Sequence, residues 1–253
     1  MDCEANPLDD KSFRAKCKAT LDAEGALVLP NFLTPQTIVA IQEEGAKYQK
    51  LAYYTKDDHN IYLTPTDANY PLDHPRNRLI ASSKGCITDD QIPHNSLLRT
   101  LYSSGQFKTF LSAILEESAL YSYADTLASI NMHYACDGQE LGWHNDNSSF
   151  AITLLIQKPE AGGQFEYVTD VRDADADDMN FELSGQVLDG HITPQRLEMN
   201  PGSLVLFRGK NSMHRVTPTE GDRVRMLVVL AYNTEPDVSL SESARLTFFG
   251  RLR

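Results

Sequence analysis

Short apolar segments separated by turn-forming residues run from about residue 126 to residue 235. They cover 128–134, 149–157, 164–168, 203–207, 214–217 and 223–232, with turns such as Gly162-Gly163 and Pro201-Gly202 between them. Short strands at this spacing are typical of a β-sandwich or jelly roll. We therefore predict a mainly β protein with flanking helices and a double-stranded β-helix (jelly-roll or cupin-like) core at 126–235.

The remaining segments are predicted to support this core. Residues 1–125 are expected to be mostly helical, with a short strand at 26–30. Thr34 and Pro35 have the pattern of an N-cap residue followed by a proline in the first helical turn. Residues 96–120 are predicted as a helical stretch interrupted near Gly105. No repeat or linker divides the chain, so we expect one domain over 1–253, with 236–253 as a C-terminal segment.

The stretch 169–193 is rich in acidic residues and has little apolar periodicity. Its alternating aspartates are similar to a calcium-binding loop, but the glycine and the closing glutamate of an EF-hand are missing. We predict a solvated insertion, and its place in the chain suits a lid over a site. The acidic residues are Asp170, Asp173, Asp175, Asp177, Asp178, Glu182 and Asp189.

Composition excludes several classes of partner. The net charge of −12 argues against a nucleic acid or an anionic membrane as the main partner. No apolar run is long enough for a transmembrane helix, and the N-terminus lacks the pattern of a signal peptide. Four scattered cysteines suggest reduced thiols and no zinc site. A cytoplasmic location is expected.

His144 and Asp146 form a His-x-Asp motif beside a predicted strand. With 7 histidines and 35 acidic residues in 253, about one such pair is expected by chance, so the setting matters more than the motif. In an extended segment residues i and i+2 face the same side, so both side chains would point inward. His214 opens a later strand after a similar turn. Together they predict a metal site, the alternative being a strand-edge histidine, a turn-capping aspartate and an unrelated His214.

Two imidazoles and one carboxylate can occupy one face of an octahedral Fe(II) ion. The opposite face then stays open for a chelating co-substrate and for O2. An arginine suits the distal carboxylate of 2-oxoglutarate, because its guanidinium pairs with a carboxylate through two parallel hydrogen bonds. Arg223 and Arg225 are both predicted on one face of the last strand. Arg225 is favoured because it lies deeper in the strand, and Arg223 is the alternative.

The stretch from about residue 76 to residue 251 resembles the 2-oxoglutarate-dependent family of free amino acid halogenases and hydroxylases, which includes the free-lysine halogenase. The most specific string is Glu-Ala-Gly-Gly-Gln-Phe-Glu-Tyr-Val at 160–168. Matching strings also lie at 142–146, 201–209, 214–218 and 221–225. The resemblance implies that His144, Asp146 and His214 bind iron and that Arg225 binds 2-oxoglutarate.

The resemblance also bears on the reaction and the substrate. Halogenases of the family have glycine at the position of Asp146, which places this chain on the hydroxylase side. The family holds the substrate carboxylate with an arginine ahead of the β core, and either Arg76 or Arg78 matches it. Leu141 and Asn147 align with polar or charged residues of lysine-specific members, so the apolar Leu141 favours an aliphatic or neutral amino acid. Asn233 is a further substrate-binding candidate or a turn former.

We therefore expect an Fe(II)- and 2-oxoglutarate-dependent dioxygenase. It would hydroxylate a small free amino acid or an amino-acid-like metabolite and release succinate and CO2. Desaturation or oxidative cyclisation by the same chemistry and a non-catalytic metal-binding jelly roll are the alternatives, with a protein-modifying hydroxylase ranked below them. The expected partner is a small-molecule substrate, and a homodimer is compatible with the chain.

Overall fold

The computed structural model describes every residue from Met1 to Arg253 and contains six α-helices and thirteen strands. The helices are α1 (Lys11–Glu24), α2 (Pro35–Tyr48), α3 (Leu97–Ser103), α4 (Gly105–Leu115), α5 (Phe181–Leu188) and α6 (Glu242–Phe249). The first seven strands are β1 (Ala26–Leu29), β2 (Tyr53–His59), β3 (Ile80–Ile87), β4 (Ile130–Ala135), β5 (Leu141–His144), β6 (Ala151–Gln157) and β7 (Ala161–Gly162). The others are β8 (Phe165–Val168), β9 (Gln195–Leu197), β10 (Leu204–Phe207), β11 (Met213–Val216), β12 (Thr219–Glu220) and β13 (Arg225–Leu230).

Two antiparallel sheets face each other as the predicted jelly roll. The major sheet has the order β1-β10-β6-β13-β4-β3-β2, and the minor sheet has the order β5-β11-β8-β9. A two-stranded ribbon of β7 and β12 completes the strands. Most neighbouring strands are not consecutive in the chain, as in a double-stranded β-helix. The prediction of a mainly β fold with flanking helices is confirmed.

Helices α1 to α4 cover the outer face of the major sheet. The largest cluster of buried apolar residues lies between these helices and the sheet. It takes alternate residues of several strands, for example Met132 and Tyr134 on β4 and Met226 and Val228 on β13. The residues between them, such as His133, face the minor sheet, because side chains alternate along a strand. The major sheet therefore has an apolar outer face and an inner face that is free to line a site.

The helix boundaries follow local sequence signals. The Thr34 hydroxyl accepts a hydrogen bond from the Thr37 backbone N–H, and Pro35 stands in the first turn of α2, as predicted. The break near Gly105 is also confirmed, because extended Ser104 ends α3 and caps α4 at Phe107.

The sequence patterns did not predict β2 and β3, which add two strands to the major sheet. Strand β2 is polar and mostly exposed, so its composition carries no alternation of apolar residues. It pairs with β3 along its whole length, from Tyr53 opposite Cys86 to His59 opposite Ile80. These pairings bring Lys84 to the inner face of the sheet.

Residues 169–193 are only partly solvated, so the prediction of a solvated insertion is wrong for part of the segment. Val171 and Val187 are buried in a second apolar cluster with Ile61 and Trp143, and α5 lies within the segment. No group of side chains in the segment is placed to hold a metal ion. No helix of the protein is both long and apolar enough to cross a membrane.

Candidate metal centre

His144 and His214 are direct cross-strand partners on β5 and β11 of the minor sheet. Both are buried, and their ring centroids lie 4.1 Å apart. Nδ1 of His144 lies 2.8 Å from the Gly142 carbonyl oxygen, and Nδ1 of His214 lies 3.1 Å from that of Ser212. A carbonyl oxygen only accepts hydrogen bonds, so each Nδ1 carries the proton. Each Nε2 is left with a lone pair for a metal.

Asp146 follows β5 and completes a three-residue group. Its Oδ1 lies 3.8 Å from Nε2 of His144 and 3.5 Å from Nε2 of His214. Metal–ligand bonds of about 2.1 Å at right angles place donor atoms about 3 Å apart, so small movements suffice for coordination. The other carboxylate oxygen, Oδ2, is buried without a hydrogen-bond partner. A metal ion fits this donor set.

The protonation states also suit a metal. Burial lowers the pKa of His144 to about 3, and the neighbouring His214 acts in the same direction. Burial acts to raise the pKa of Asp146, but His214 and His144 outweigh it, so this pKa is lowered. At neutral pH the site therefore presents a neutral His144 and an ionised Asp146, as metal ligation requires.

Gly209 makes room for the carboxylate. A Cβ atom at this position would lie 1.9 Å from Oδ2 and 2.6 Å from Cγ of Asp146. The Gly209 carbonyl also accepts a hydrogen bond from the Asp146 backbone N–H at 3.0 Å. Gly209 was assigned no role from the sequence, because nothing in the local pattern shows what approaches it.

The three side chains line a cavity of about 290 Å³ between the two sheets. Its walls are mostly apolar, with contributions from both sheets, from Phe248 of α6 and from Leu63 and Tyr123. The ionisable residues of its lining, apart from Tyr123, Tyr232 and the three candidate ligands, are Lys84, His133 and Arg225. The metal centre therefore opens into a small, largely apolar chamber.

Arg225 is the arginine that reaches this cavity. It is buried at the start of β13, no carboxylate lies within 4.0 Å of its guanidinium, and burial lowers its pKa to about 10. The prediction that Arg223 shares its strand face is wrong. Arg223 is exposed in the bend before β13 and donates to the Pro159 carbonyl at 3.3 Å. Arg223 is therefore not among the residues that line the cavity.

Only some of the predicted substrate residues lie near the centre. Leu141 lines the cavity, whereas Asn147 is exposed and Asn233 pairs with Tyr121 through their backbones outside it. Arg78 forms an ion pair with Asp189 at 2.7 Å.

Arg76 is the freer of the two candidate arginines. Its guanidinium carbon lies 5.7 Å from the centroid of the Tyr62 ring, and its Nη1 is buried without a partner. It lines a separate, shallow depression beside α5.

Three polar residues of the site were missed by the sequence analysis. Arg172 donates to the backbone carbonyl of Asp146 at 3.3 Å and packs on the Tyr62 ring, while Lys84 and His133 line the cavity. Strand alternation could have found His133, because it lies in a predicted strand. Arg172 and Lys84 carried no such signal, since one lies in the acidic segment and the other in an unpredicted strand.

A sequence model described as Halogenase D matches residues 9–247. The chain belongs to the Halogenase D family. This confirms the resemblance to the amino acid halogenase and hydroxylase group, while the hydroxylase branch stays a prediction for this Halogenase D member. No curated protein matches it.

Solved structures with the same fold are distant in sequence. A 2OG-Fe(II) family oxidoreductase from Burkholderia pseudomallei is 12% identical, with 91% of this chain and 95% of that chain covered and a TM-score of 0.58. HygX from Streptomyces hygroscopicus, solved with nickel, 2-oxoglutarate and hygromycin B, is 13% identical, with 89% of each chain covered and a TM-score of 0.56. A Pseudomonas putida prolyl-4-hydroxylase is 15% identical, with 85% of this chain and 96% of that chain covered and a TM-score of 0.51. This Halogenase D family member therefore has the fold of the 2-oxoglutarate-dependent iron oxygenases.

Proposed function

We propose that the protein is an Fe(II)- and 2-oxoglutarate-dependent dioxygenase. In our proposal it hydroxylates an unactivated C–H bond of a small free amino acid or amino-acid-like metabolite and releases succinate and CO2. One observation carries the proposal: a three-residue metal centre and the uncompensated guanidinium of Arg225 line the same cavity. A metal-chelating dicarboxylate satisfies both at once.

Each residue of the centre has a distinct role in this proposal. His144, Asp146 and His214 hold the iron, which when bound supplies the activation of O2 that couples decarboxylation of 2-oxoglutarate to oxidation of the substrate. Arg225 anchors the distal carboxylate of 2-oxoglutarate with two hydrogen bonds and so orients the co-substrate. The apolar walls keep water away from the reacting atoms.

Asp146 favours hydroxylation over halogenation. Three protein ligands and a bidentate co-substrate leave one position of an octahedral ion, and O2 needs that position. Chloride would have to displace a protein ligand. The geometry supports this count, because Asp146 Oδ1 lies within 3.8 Å of both histidine Nε2 atoms.

The size and lining of the cavity support a small, largely apolar substrate. A volume of about 290 Å³ has to accommodate both the co-substrate and the part of the substrate that is oxidised. Leu141 on its wall favours an aliphatic over a charged side chain. Of the two arginines that the resemblance proposes for the substrate carboxylate, Arg76 is the less committed, because its Nη1 is buried without a partner and Arg78 is paired with Asp189. Arg76 lines a depression separate from the metal cavity, so this role stays a prediction. A homodimer and a cytoplasmic location stay predictions.

The test is a turnover screen of the purified protein with Fe(II), 2-oxoglutarate and air against proteinogenic and common non-proteinogenic amino acids. We expect one or more compounds to stimulate succinate release and to gain one oxygen atom by mass spectrometry. His214→Ala should abolish both signals. A product lacking two hydrogens would instead show desaturation or cyclisation.

Two outcomes would contradict the proposal. Wild-type protein that binds Fe(II) but releases no succinate with any compound of the screen would be a non-catalytic metal-binding jelly roll. A dominant chlorinated product in saturating chloride, recognised by its isotope pattern, would mean that Asp146 is not an iron ligand.

A further inference from the structure

A second cation, Lys84, lies on the inner face of the major sheet. Arg225 of β13 pairs with Ala135 of β4, and the register of β3 against β4 places Lys84 opposite the same alanine. Lys84 and Arg225 therefore flank Ala135 from its two sides. His133, one row along β4, shares this face, and burial together with the charges of Lys84 and Arg225 holds its pKa well below the usual range. The cavity thus has a cationic floor next to the metal centre.

Nothing in the protein neutralises Lys84. No carboxylate lies within 4.0 Å of its ammonium group, and Asp146 is the only acidic residue in the lining of the cavity. The Nζ of Lys84 lies 5.7 Å from the ring centroid of Phe248 of α6. Lys84 is half-buried in the cavity wall, and a charge withdrawn from water in this way is normally paired. Lys84 is therefore placed to receive an anion from outside the chain.

The co-substrate does not supply this anion. This step rests on the proposed function, in which Fe(II), 2-oxoglutarate, ionised Asp146 and Arg225 occupy the cavity together. The two positive charges of Fe(II) and the one of Arg225 cancel the two negative charges of 2-oxoglutarate and the one of Asp146. Lys84 then leaves one positive charge over, so the loaded cavity is complementary to one more anion.

We propose that Lys84 binds a carboxylate of the primary substrate inside the cavity. Most of the other residues that line the cavity are apolar, so the substrate class is a carboxylate attached to a short hydrocarbon chain. A side-chain ammonium, such as that of free lysine, finds no counter-charge there because the only acid is the metal-binding Asp146. Lys84 thus selects for anionic over cationic substrates.

The experiment uses three small probes that have the same hydrocarbon chain and differ in the charge of their end group. The natural substrate therefore need not be known. Butyrate, 1-butanol and butylamine are titrated into the intact protein loaded with Co(II), which stands in for iron without turnover, and 2-oxoglutarate. Binding is read by calorimetry and by the fluorescence of Trp143, which is the only tryptophan and adjoins His144. We expect butyrate to bind and the other two probes to bind at least about tenfold more weakly.

Variants assign the effect to the ammonium group. Lys84→Met should weaken butyrate binding at least about tenfold, whereas Lys84→Arg should retain it within about threefold. Lys56→Met, an exposed lysine on the neighbouring strand β2, is the matched control and should bind as the wild type does. Unchanged Co(II) binding shows that each variant is folded, and Lys84→Gln replaces Lys84→Met if the latter does not fold.

Failure of this proposal is separable from failure of the proposed function. If Lys84→Met weakens 2-oxoglutarate binding as much as Arg225→Met does, Lys84 belongs to the co-substrate and the proposal is overturned. The same holds if wild type binds butylamine as tightly as butyrate, or does not bind butyrate. If Arg225→Met leaves 2-oxoglutarate binding unchanged, the proposed function fails instead.

Discussion

Replacing Gly209 with alanine should remove Asp146 from the metal centre. The added Cβ would lie 1.9 Å from Oδ2, whereas ordinary contacts begin at 3.4 Å, so the carboxylate must retreat by about 1.5 Å. Metal sites keep their ligand distances within about 0.2 Å. Since Gly209 is not in the left-handed region, alanine itself costs no backbone strain there. We expect Co(II) or Fe(II) affinity to fall by about 10- to 100-fold, the usual effect of disturbing the support of a ligand.

The assay is a metal titration followed by Trp143 fluorescence, in a double-mutant cycle with Asp146→Gly. In the Asp146→Gly background there is no carboxylate to displace, so adding Gly209→Ala should change the affinity by less than about twofold. Gly105→Ala is the control, because a Cβ at that position meets nothing within 4 Å. Equal affinity of Gly209→Ala and wild type, or additive effects in the cycle, would refute the steric argument.

Three further predictions follow from the cavity and the core. Arg225→Met should raise the KM for 2-oxoglutarate more than about tenfold through loss of a buried charged pair, while exposed Arg223→Met should not, as measured by succinate release. Because burial lowers the pKa of His133, the unfolded chain takes up a proton below about pH 6.5 that the folded chain does not. Acidification from pH 7 to pH 5.5 should therefore lower the unfolding free energy of the wild type by about 1 kcal/mol more than that of His133→Gln, as measured by urea unfolding. The exposed control His191→Gln should behave as the wild type does. Phe110→Ala should lower the unfolding free energy by about 3–5 kcal/mol, because it leaves a cavity at a fully buried site. The Co(II) affinity of this variant should not change. A lower affinity would show that the helical layer supports the metal centre directly.

Much of the core of this fold could be predicted from local patterns. The alternating character of 128–134 and the continuous apolar, β-branched run at 149–157 both identify strands. Thr34 and Pro35 identify the start of a helix because capping is decided within one turn. The same locality places His144 and Asp146 on one side of the chain. These features need only residues that are neighbours in sequence.

Which residues meet across the chain was decided only by the tertiary structure. Strand β2 is polar, and it forms because β3 offers it a paired edge, not because of its own composition. The selection of Arg225 over Arg223, the placement of Lys84 on the cavity floor and the need for glycine at 209 all depend on what lies opposite in space. The periodicity of apolar residues shows which face of a single strand or helix packs against the core. It does not show which side chains from two different sheets lie opposite each other. The local sequence therefore identifies the kinds of side chain that form the metal centre. The packing of the two sheets of the jelly roll decides which of these side chains contact each other.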